Sequence, residues 1–450
     1  MARNAEVVVV GSGLNGLVAA CQLARRGLSV VVLEADSIRP GEGLSTAPHS
    51  LPGILQDRGF SWFFGLPMSP ALHGLELYQQ GIEWHAGTCA HLHLGEDHNS
   101  IALRASDSAD KSAPNLVGIP EYEALRTWCR TQLPSLLSRH WNSQLAPPGL
   151  KLGNPLHWMR SRSLQSTTPE QLGRRWFRTA LGQRVVSDLA LSLGLPPDRS
   201  LGPAASSLLL LLCESPELPR GGAQQVSNGL LRTLEGFGGQ LRLNAVPRKI
   251  LGPHRLALES GEEISFSRAV IVDTPEPVPL GPGISGLRID WVLNSPIPWE
   301  TAGAQDAARV YLTHSSASLR EFAHRLRDGQ SAEQPAFWIE QPSEHDSSRA
   351  PGQQHLASAF TWVSPSVGKD RQGRELQADR IVSVLNAYAP GFSRRVLDRT
   401  VQMEEKTNGR GSSFTPSQSP TVVLCRHQND SAHAWGMAGA RAAHHVLQLP

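Results

Sequence analysis

Residues 7–16 read Val-Val-Val-Val-Gly-Ser-Gly-Leu-Asn-Gly, an apolar run that leads into a Gly-x-Gly-x-x-Gly pattern. The four successive β-branched residues Val7–Val10 predict a strand that is buried on both faces of a parallel sheet. A helical pattern follows as far as Gly27, and a second apolar run, Val30–Leu33, ends in Glu34. The order strand, glycine turn, helix, strand predicts one βαβ unit at the start of the chain.

This unit has the features of a dinucleotide site. Gly11 would make the tight turn, Gly13 would let the backbone approach a pyrophosphate, and Gly16 would allow close packing of helix and strand. The helix N-terminus supplies N–H groups and a partial positive charge for phosphates, and Glu34 would accept from ribose hydroxyls. The alternative is a packing turn in an unrelated α/β unit. Because the motif follows a buried strand and opens a helix, we favour the dinucleotide site.

The composition excludes several other classes. The chain has 450 residues, enough for two or three domains, and 42 Lys and Arg balance 40 Asp and Glu, which argues against a nucleic-acid partner. An odd set of cysteines with no Cys-x-x-Cys pair indicates reduced thiols and argues against a disulfide scaffold or a zinc ribbon. These cysteines are Cys21, Cys89, Cys129, Cys213 and Cys425.

Membrane insertion is not expected either. The N-terminal residues lack the charged region and cleavage site of a secretory signal, and the apolar run Leu208–Leu212 is too short to cross a bilayer and predicts a buried helix. We expect a cytoplasmic protein. Residues 171–186 combine apolar residues with four arginines, so peripheral contact with a membrane stays open. We favour the alternative that this segment is an ordinary domain helix with its basic residues facing outward.

Stretches along the whole chain resemble the phytoene desaturase-like oxidoreductases of the flavin amine oxidase superfamily. The opening motif is similar to the FAD site of that family, and further similar stretches follow in the same order. They are Leu51-Pro52-Gly53 before Asp57, Gly81-Ile82-Glu83-Trp84, Pro219-Arg220-Gly221-Gly222 with Gly238-Gly239, Gln341-Pro342-Ser343 with Ser348-Arg349-Ala350-Pro351, Ala389-Pro390-Gly391-Phe392, and Gly436-Met437-Ala438-Gly439 with Ala442-Ala443.

The resemblance implies an α/β fold with a Rossmann-like, discontinuous FAD-binding domain and an inserted α+β substrate domain. We expect the FAD-binding domain to comprise residues 1–75, 215–280 and 415–450, and the substrate domain residues 76–214 and 281–414. The resemblance implies noncovalent FAD as the cofactor. The candidate FAD-binding residues are Gly11, Ser12, Gly13, Leu14, Asn15, Gly16, Glu34, Ala35, Gly41, Gly43, Leu44, Val246, Pro247, Gly436 and Met437.

Three departures from the family pattern bear on FAD. Glu42 stands where a glycine doublet is usual, and its carboxylate would repel a pyrophosphate that it faced. Pro247 stands where a valine N–H would bind adenine, at a cost of about 1 kcal/mol unless Val246 takes its place by a one-residue slip. Bulky side chains between Cys425 and Trp435 replace glycines near the flavin, so this loop bends outward or the site is altered.

Other residues carry weaker signals. His91 and His93 would share one face of a strand, but no distant partner motif accompanies them, so we expect a solvated strand face and no metal site. The adjacent aromatics Trp62, Phe63 and Phe64 could line a substrate cavity or belong to the core. No Gly-x-Ser-x-Gly elbow or P-loop is present, and no catalytic residue is assigned.

The predicted function is an FAD-dependent oxidoreductase. The resemblance implies desaturation, dehydrogenation or isomerisation of an apolar small molecule, such as a lipid or a polyene, by hydride transfer to the flavin; the electron acceptor is unknown. A degenerate protein that keeps the fold as a scaffold or carrier is the alternative. A nicotinamide-dependent dehydrogenase fits the first motif but not the later stretches.

Overall fold

The computed structural model describes residues 4–49, 51–95, 99–104, 120–145, 162–273, 284–403, 421–425 and 435–449. Within these ranges the helices cluster in the middle of the chain, as the sequence predicts, with others near both ends. They are α1 Leu14–Ala24, α2 Pro120–Leu145, α3 162–166, α4 Pro169–Trp176, α5 Ala180–Ser192, α6 Ala205–Cys213, α7 Gln224–Gly236, α8 Ser316–Arg327, α9 Pro342–His345, α10 Pro365–Lys369, α11 Arg371–Tyr388 and α12 Met437–Gln448.

The strands fall into two large sheets and two small ones. Their bounds are β1 Asn4–Val10, β2 Val30–Leu33, β3 Thr46–Pro48, β4 Leu55–Asp57, β5 Phe63–Phe64, β6 Trp84–Ala86, β7 Cys89–Leu94, β8 Ser100–Arg104, β9 Pro216–Pro219, β10 Gln240–Arg242, β11 Pro247–Ile250, β12 Arg255–Leu258, β13 Glu263–Asp273, β14 Ser285–Leu293, β15 Ala307–Leu312, β16 Phe337–Glu340, β17 His355–Val363, β18 Val396–Met403 and β19 Val422–Cys425.

The first sheet joins three distant parts of the chain. Its order is β10-β2-β1-β13-β12-β11, and β19 pairs with the C-terminal half of β13. Strands β10, β2, β1, β13 and β19 are parallel, whereas β11 and β12 form an antiparallel extension. The valines of β1 and β2 pack into cores on both faces of the sheet, as their continuous apolar sequence predicts. The βαβ unit and the sharing of this sheet with the C-terminal residues are therefore confirmed.

The second sheet has the order β18-β14-β17-β16-β15-β7-β8 and is antiparallel except where β7 pairs with β15. Helices α5 and α6 pack in one core with residues of β7, β15, β16 and β17, and α11 packs in a core on the other side with β14. Together the two sheets give the predicted α/β architecture. The residue boundaries of the two domains stay a prediction.

Residues 171–186 differ from the single helix that the sequence predicts. Helix α4 ends at Trp176, Phe177 is extended, and α5 begins only at Ala180, with Thr179 capping it through its hydroxyl. Arg174, Arg175 and Arg178 are exposed as expected, but Arg184 is buried and forms an ion pair with Asp188. The prediction of outward basic residues was therefore wrong for Arg184, because a buried carboxylate one turn away compensates its charge.

The Leu208–Leu212 run lies in α6 and is buried, as predicted, and the five cysteines are all buried and form no disulfide with one another. No described helix is long and apolar enough to span a bilayer. Residues 106–117 and 407–420, whose polar, Ser- and Pro-containing sequences predict loops, lie outside the described residues.

Candidate functional site

The glycine turn after β1 has the geometry that the motif predicts. Gly11 has a φ of +96°, a backbone conformation that L side chains rarely adopt. A Cβ on Gly16 would lie 2.2 Å from the carbonyl oxygen of Gly11, so only glycine allows the helix to start this close to the strand. Gly13 is the N-cap residue of α1 and provides no side-chain cap for the first turn. The turn therefore brings bare backbone to the helix N-terminus.

Glu34 lies at the end of β2 and is tied to this turn. Its Oε2 accepts a hydrogen bond from the backbone N–H of Ser12 at 3.0 Å and another from the Ser12 hydroxyl. Its Oε1 accepts from the N–H of Asp36 at 2.9 Å, and the Ser12 hydroxyl oxygen accepts from the N–H of Gly41 at 3.0 Å. The structure thus brings together three of the predicted segments, around Ser12, Glu34 and Gly41, at one edge of the first sheet.

Asp273 completes this edge, and the sequence reasoning missed it. The residue ends β13, and its Oδ2 accepts a hydrogen bond from the N–H of Gly16 at 2.9 Å, in the first turn of α1. Burial raises the pKa of Asp273 to about 7; the hydrogen bond from Gly16 lowers it, and the charge of Glu34 raises it. The signal was present in the sequence. Residues 268–272 have the apolar pattern of a buried strand and this aspartate follows them directly, and the carboxyl ends of neighbouring parallel strands meet at one edge of a sheet.

Helix α12 covers the other side of α1. A Cβ on Gly439 would lie 1.9 Å from the carbonyl oxygen of Asn15, and the Gly439 N–H points to Asn15 Oδ1 at 3.4 Å. Gly436 precedes the helix with a φ of +81°, and Met437 is buried in the same core, against which the half-buried Leu14 packs. The predicted residues of the first and last motifs are therefore neighbours in space.

The remaining predicted residues lie nearby, with different roles. Ala35 is half-buried beside Glu34, and the N–H of Ala245 donates to the carbonyl oxygen of Glu34 at 2.9 Å. Val246 accepts at its carbonyl oxygen from the N–H of Glu259 at 2.9 Å, and the buried Pro247 starts β11. This brings the 245–247 segment next to Glu34, as adenine recognition would require. Whether Val246 or Pro247 contacts a base stays a prediction.

Residues 41–44 form a short turn in which Leu44 is buried and its N–H donates to the Gly41 carbonyl oxygen at 2.7 Å. A Cβ on Gly59 would lie 2.3 Å from the carbonyl oxygen of Gly43, so the turn is packed against the segment after β4. The side chain of Glu42 and residues 426–434 lie outside the described part of the structure.

Three of the family-like stretches meet at Asp57. This buried carboxylate accepts hydrogen bonds from the hydroxyls of Thr46 and Ser61 at 2.6 and 2.7 Å, and from the N–H of Ala223 at 2.9 Å. It also pairs with the guanidinium of Arg349 at 2.8 Å. Burial raises the pKa of Asp57, but Arg349 and the hydrogen bonds lower it to below its usual value, which keeps the carboxylate ionised.

The glycines of the 219–222 stretch are fixed by the same cluster. Gly222 has a φ of +104°, and a Cβ there would lie 2.3 Å from the Thr46 hydroxyl and 2.8 Å from Asp57 Oδ1. The N–H of Gly221 donates to Asp346 Oδ2 at 2.7 Å. This cluster joins the N-terminus of α7, which packs with the first sheet, to the segment that follows β16 of the second sheet.

The prediction of a solvated face for His91 and His93 was wrong. Both side chains are fully buried on β7, where the helices α5 and α6 cover this face of the second sheet. His93 Nδ1 contacts Asp188 Oδ2 at 2.9 Å, and burial lowers the pKa of His93 more than Asp188 raises it. Among the described residues, no group of three potential ligands that could hold a metal ion was found.

The aromatic residues 62–64 are buried. Trp62 and Phe64 belong to the core of the second sheet and Phe63 to that of the first. Trp435 packs on Phe63 with ring centroids 5.3 Å apart and donates its Nε1–H to the carbonyl oxygen of Phe64 at 2.6 Å. Trp435, just before α12, is thus anchored on β5.

Comparisons with known proteins agree with this geometry. A family model described as an NAD(P)-binding Rossmann-like domain matches residues 9–79. The phytoene dehydrogenase of Streptomyces griseus is 25% identical over 413 residues, covering 82% of this chain and 76% of that protein. The phytoene desaturase of Neurospora crassa is 28% identical over 283 residues, covering 55% and 43%.

Among solved structures, a putrescine oxidase shares 15% identity with a TM-score of 0.57, covering 98% of this chain and 96% of the oxidase, which shows a shared fold. The similar sequences support an oxidoreductase of the FAD-dependent desaturase type, and the shared fold agrees with that class. Within that class the chain is phytoene desaturase-like, and the predicted resemblance is confirmed.

Proposed function

We propose that the chain binds FAD without a covalent bond and dehydrogenates, desaturates or isomerises a small molecule with a large apolar part. The observation that carries this proposal is the backbone geometry at the edge of the first sheet. There the glycine turn, Glu34 and the N-terminus of α1 meet, and side chains are excluded by the backbone of Gly11. The names of the desaturase relatives support the reaction class.

The residues on this edge fit the adenosine and pyrophosphate half of the cofactor. Gly11, Ser12 and Gly13 would face the phosphates with backbone, and the first turn of α1 would add its partial positive charge. Glu34 would accept from the ribose, and residues 245–247 would border the adenine. Gly436 and Met437 at the start of α12 would lie toward the flavin.

When bound, FAD supplies the hydride acceptor, and the protein supplies orientation and a dry environment. The Asp57 cluster holds the 219–222 turn, the 57–64 segment and the loop after β16 in fixed relative positions. A substrate would lie on the second-sheet side of this cluster. The buried aromatic residues there exclude water from the region where a hydride would move.

The test is the colour and cofactor content of the purified full-length chain. We expect the purified protein to show the absorbance band of a flavin, with close to one FAD per chain. Heat denaturation should release this FAD, as noncovalent binding requires. Anaerobic bleaching of that band by candidate polyene or lipid substrates would then identify the reaction. A colourless protein that does not take up added FAD would overturn the proposal.

A second candidate is a degenerate protein that keeps the fold as a scaffold or carrier. It is favoured by Asp273, because a buried carboxylate occupies an N–H of the helix turn that a pyrophosphate would approach. This candidate predicts that the chain folds with the same stability with and without added FAD. A rise in the unfolding midpoint on addition of FAD would exclude it, because a ligand that binds the native state stabilises it.

A further inference from the structure

The face of the second sheet that packs toward residues 56–64 is rich in charged and aromatic side chains. The residues alternate along each strand, and the register places Arg309 opposite His91, and Tyr311 between His93 and Trp338. These side chains are all buried. They are His91 and His93 on β7, Arg309 and Tyr311 on β15, Trp338 and Glu340 on β16, Ser358 and Phe360 on β17, and Arg288 and Asp290 on β14.

One of the two arginines on this face has its hydrogen-bonding capacity used within the protein. Arg288 donates from Nε to Asp290 Oδ1 at 2.7 Å, from Nη1 to the carbonyl oxygen of Gly59 at 2.5 Å, and from Nη2 to the hydroxyl of Ser358 at 3.2 Å. Each nitrogen has an acceptor. Arg288 is therefore explained as a structural residue that ties β14 to the 56–64 segment.

Arg309 is different. Its Nε donates to Glu340 Oε1 at 2.8 Å, but neither Nη1 nor Nη2 has a hydrogen-bond acceptor among the described residues, although the side chain is only 1% exposed. The Tyr311 hydroxyl interacts with the guanidinium electrostatically, but by distance and angle neither Nη atom donates a hydrogen bond to it. Buried donors without acceptors are costly and rare, so an arginine in this state requires an explanation.

Aromatic rings surround these donors. The guanidinium carbon lies 5.0 Å from the ring centroid of Phe60, 4.8 Å from that of Phe64 and 6.0 Å from that of Trp338. Such rings attract a cation but do not replace hydrogen-bond acceptors. Phe60 and Phe64 lie on the connection between the two sheets, so their rings would have to shift for a ligand to reach the guanidinium.

We propose that Arg309 binds the carboxylate of the substrate, which makes the substrate an amphipathic organic acid. Nη1 and Nη2 together form the fork that binds one carboxylate through two parallel hydrogen bonds, and Glu340 fixes the plane of that fork from its far edge. The rings of Phe60, Phe64 and Trp338 would pack on the apolar part of the ligand. This inference rests on the proposed function and adds the chemical class of its substrate.

The test compares acids with matched neutral ligands on the full-length protein as purified, by isothermal titration calorimetry. The probes are benzoate against benzamide and geranate against methyl geranate. We expect at least one acid to bind about tenfold more tightly than its neutral counterpart, and the Arg309→Lys variant to lose that preference, because lysine keeps the charge but not the fork. Equal binding of acid and neutral probe, or of neither, would overturn the proposal.

Arg288→Lys is the matched control, since it alters a buried arginine on the same face whose donors already have acceptors. It should leave the preference for the acid within about twofold of the unaltered chain. An equal loss in both variants would show a general disturbance of the sheet and would contradict a specific role for Arg309. The flavin content of each variant is measured in parallel. A failure of carboxylate recognition in a protein that still contains FAD leaves the proposed function standing.

Discussion

The two large sheets use their residues in opposite ways. The first sheet is apolar on both faces, and its candidate site lies at one edge, built from glycine backbone with two carboxylates, Glu34 and Asp273. The second sheet carries a group of buried charged residues in the middle of one face, covered by helices or by the 56–64 segment. Backbone therefore shapes the edge of the first sheet, and side-chain charge shapes one face of the second. In our proposal, this difference separates cofactor binding from substrate recognition.

The largest expected effect lies where helix α5 packs on the second sheet. Asp188→Ala removes the acceptor shared by Arg184 Nε at 3.1 Å, His93 Nδ1 at 2.9 Å and the Thr313 hydroxyl at 2.9 Å. Because a buried arginine then loses its counter-charge, we expect a loss of about 3–5 kcal/mol in the free energy of unfolding, measured by urea denaturation.

The matched control is Asp198→Ala. The Asp198 side chain is 32% exposed, and its carboxylate pairs with Arg327 at 3.4 Å. Water screens this pair, so the expected loss is below about 1 kcal/mol. If both variants lose the same free energy of unfolding, the buried ion pair of Asp188 does not stabilise the protein more than an exposed pair does.

The next largest effect is expected at the glycine turn of the first sheet. Gly16→Ala places a methyl group 2.2 Å from the Gly11 carbonyl oxygen, so the helix must move away from β1. We expect a loss of about 1–3 kcal/mol in the free energy of unfolding and the loss of bound flavin from the purified protein. Gly236→Ala is the control, because a Cβ there meets nothing within 4 Å at the end of α7. That variant should retain flavin and gain up to about 1 kcal/mol.

The smallest effect concerns the pH dependence that Asp273 confers. Its pKa of about 7 in the folded chain lies above the usual value for aspartate, so the native state holds a proton that the unfolded state releases. The contribution of Asp273 to stability is therefore greatest below the unfolded pKa and falls as the pH rises toward 7. Asp273→Asn removes this titration and keeps an acceptor for the Gly16 N–H.

We expect the variant to be more stable than the unaltered chain by roughly 1–2 kcal/mol at pH 8, and the difference to shrink toward pH 5. FAD affinity of the unaltered chain should also fall above pH 7, where an ionised Asp273 opposes the pyrophosphate. A pH-independent difference between the two proteins would show that Asp273 is not the titrating group.

The sequence could predict the first sheet because its information is local. Val7–Val10, the three glycines and Glu34 lie within 28 residues, and each conformational requirement is carried by the residue type itself. Asp273 was within reach of the same reasoning, since it directly follows a predicted buried strand. Its contact with Gly16 joins residues 257 positions apart, and that pairing needs the sheet order.

The second sheet could not be predicted in this way. His91 and His93 alternate as on a half-exposed strand, and nothing in their neighbourhood indicates that α5 and α6 cover them. Arg184 was expected outward for the same reason. Whether a polar residue is buried depends on which distant element packs over it. The partner of His93 is Asp188, 95 positions later in α5, and the partner of Arg309 is Glu340, on the neighbouring strand β16.

The position of β19 and α12 has a consequence for folding. Strand β19 pairs with β13, and α12 packs on α1 beside the glycine turn, where Gly439 and Asn15 meet although they are 424 positions apart. Contacts between residues this far apart in the sequence form slowly, because a long loop must close before they can stabilise the chain. We therefore expect this corner of the first sheet to be among the last parts of the molecule to form during refolding.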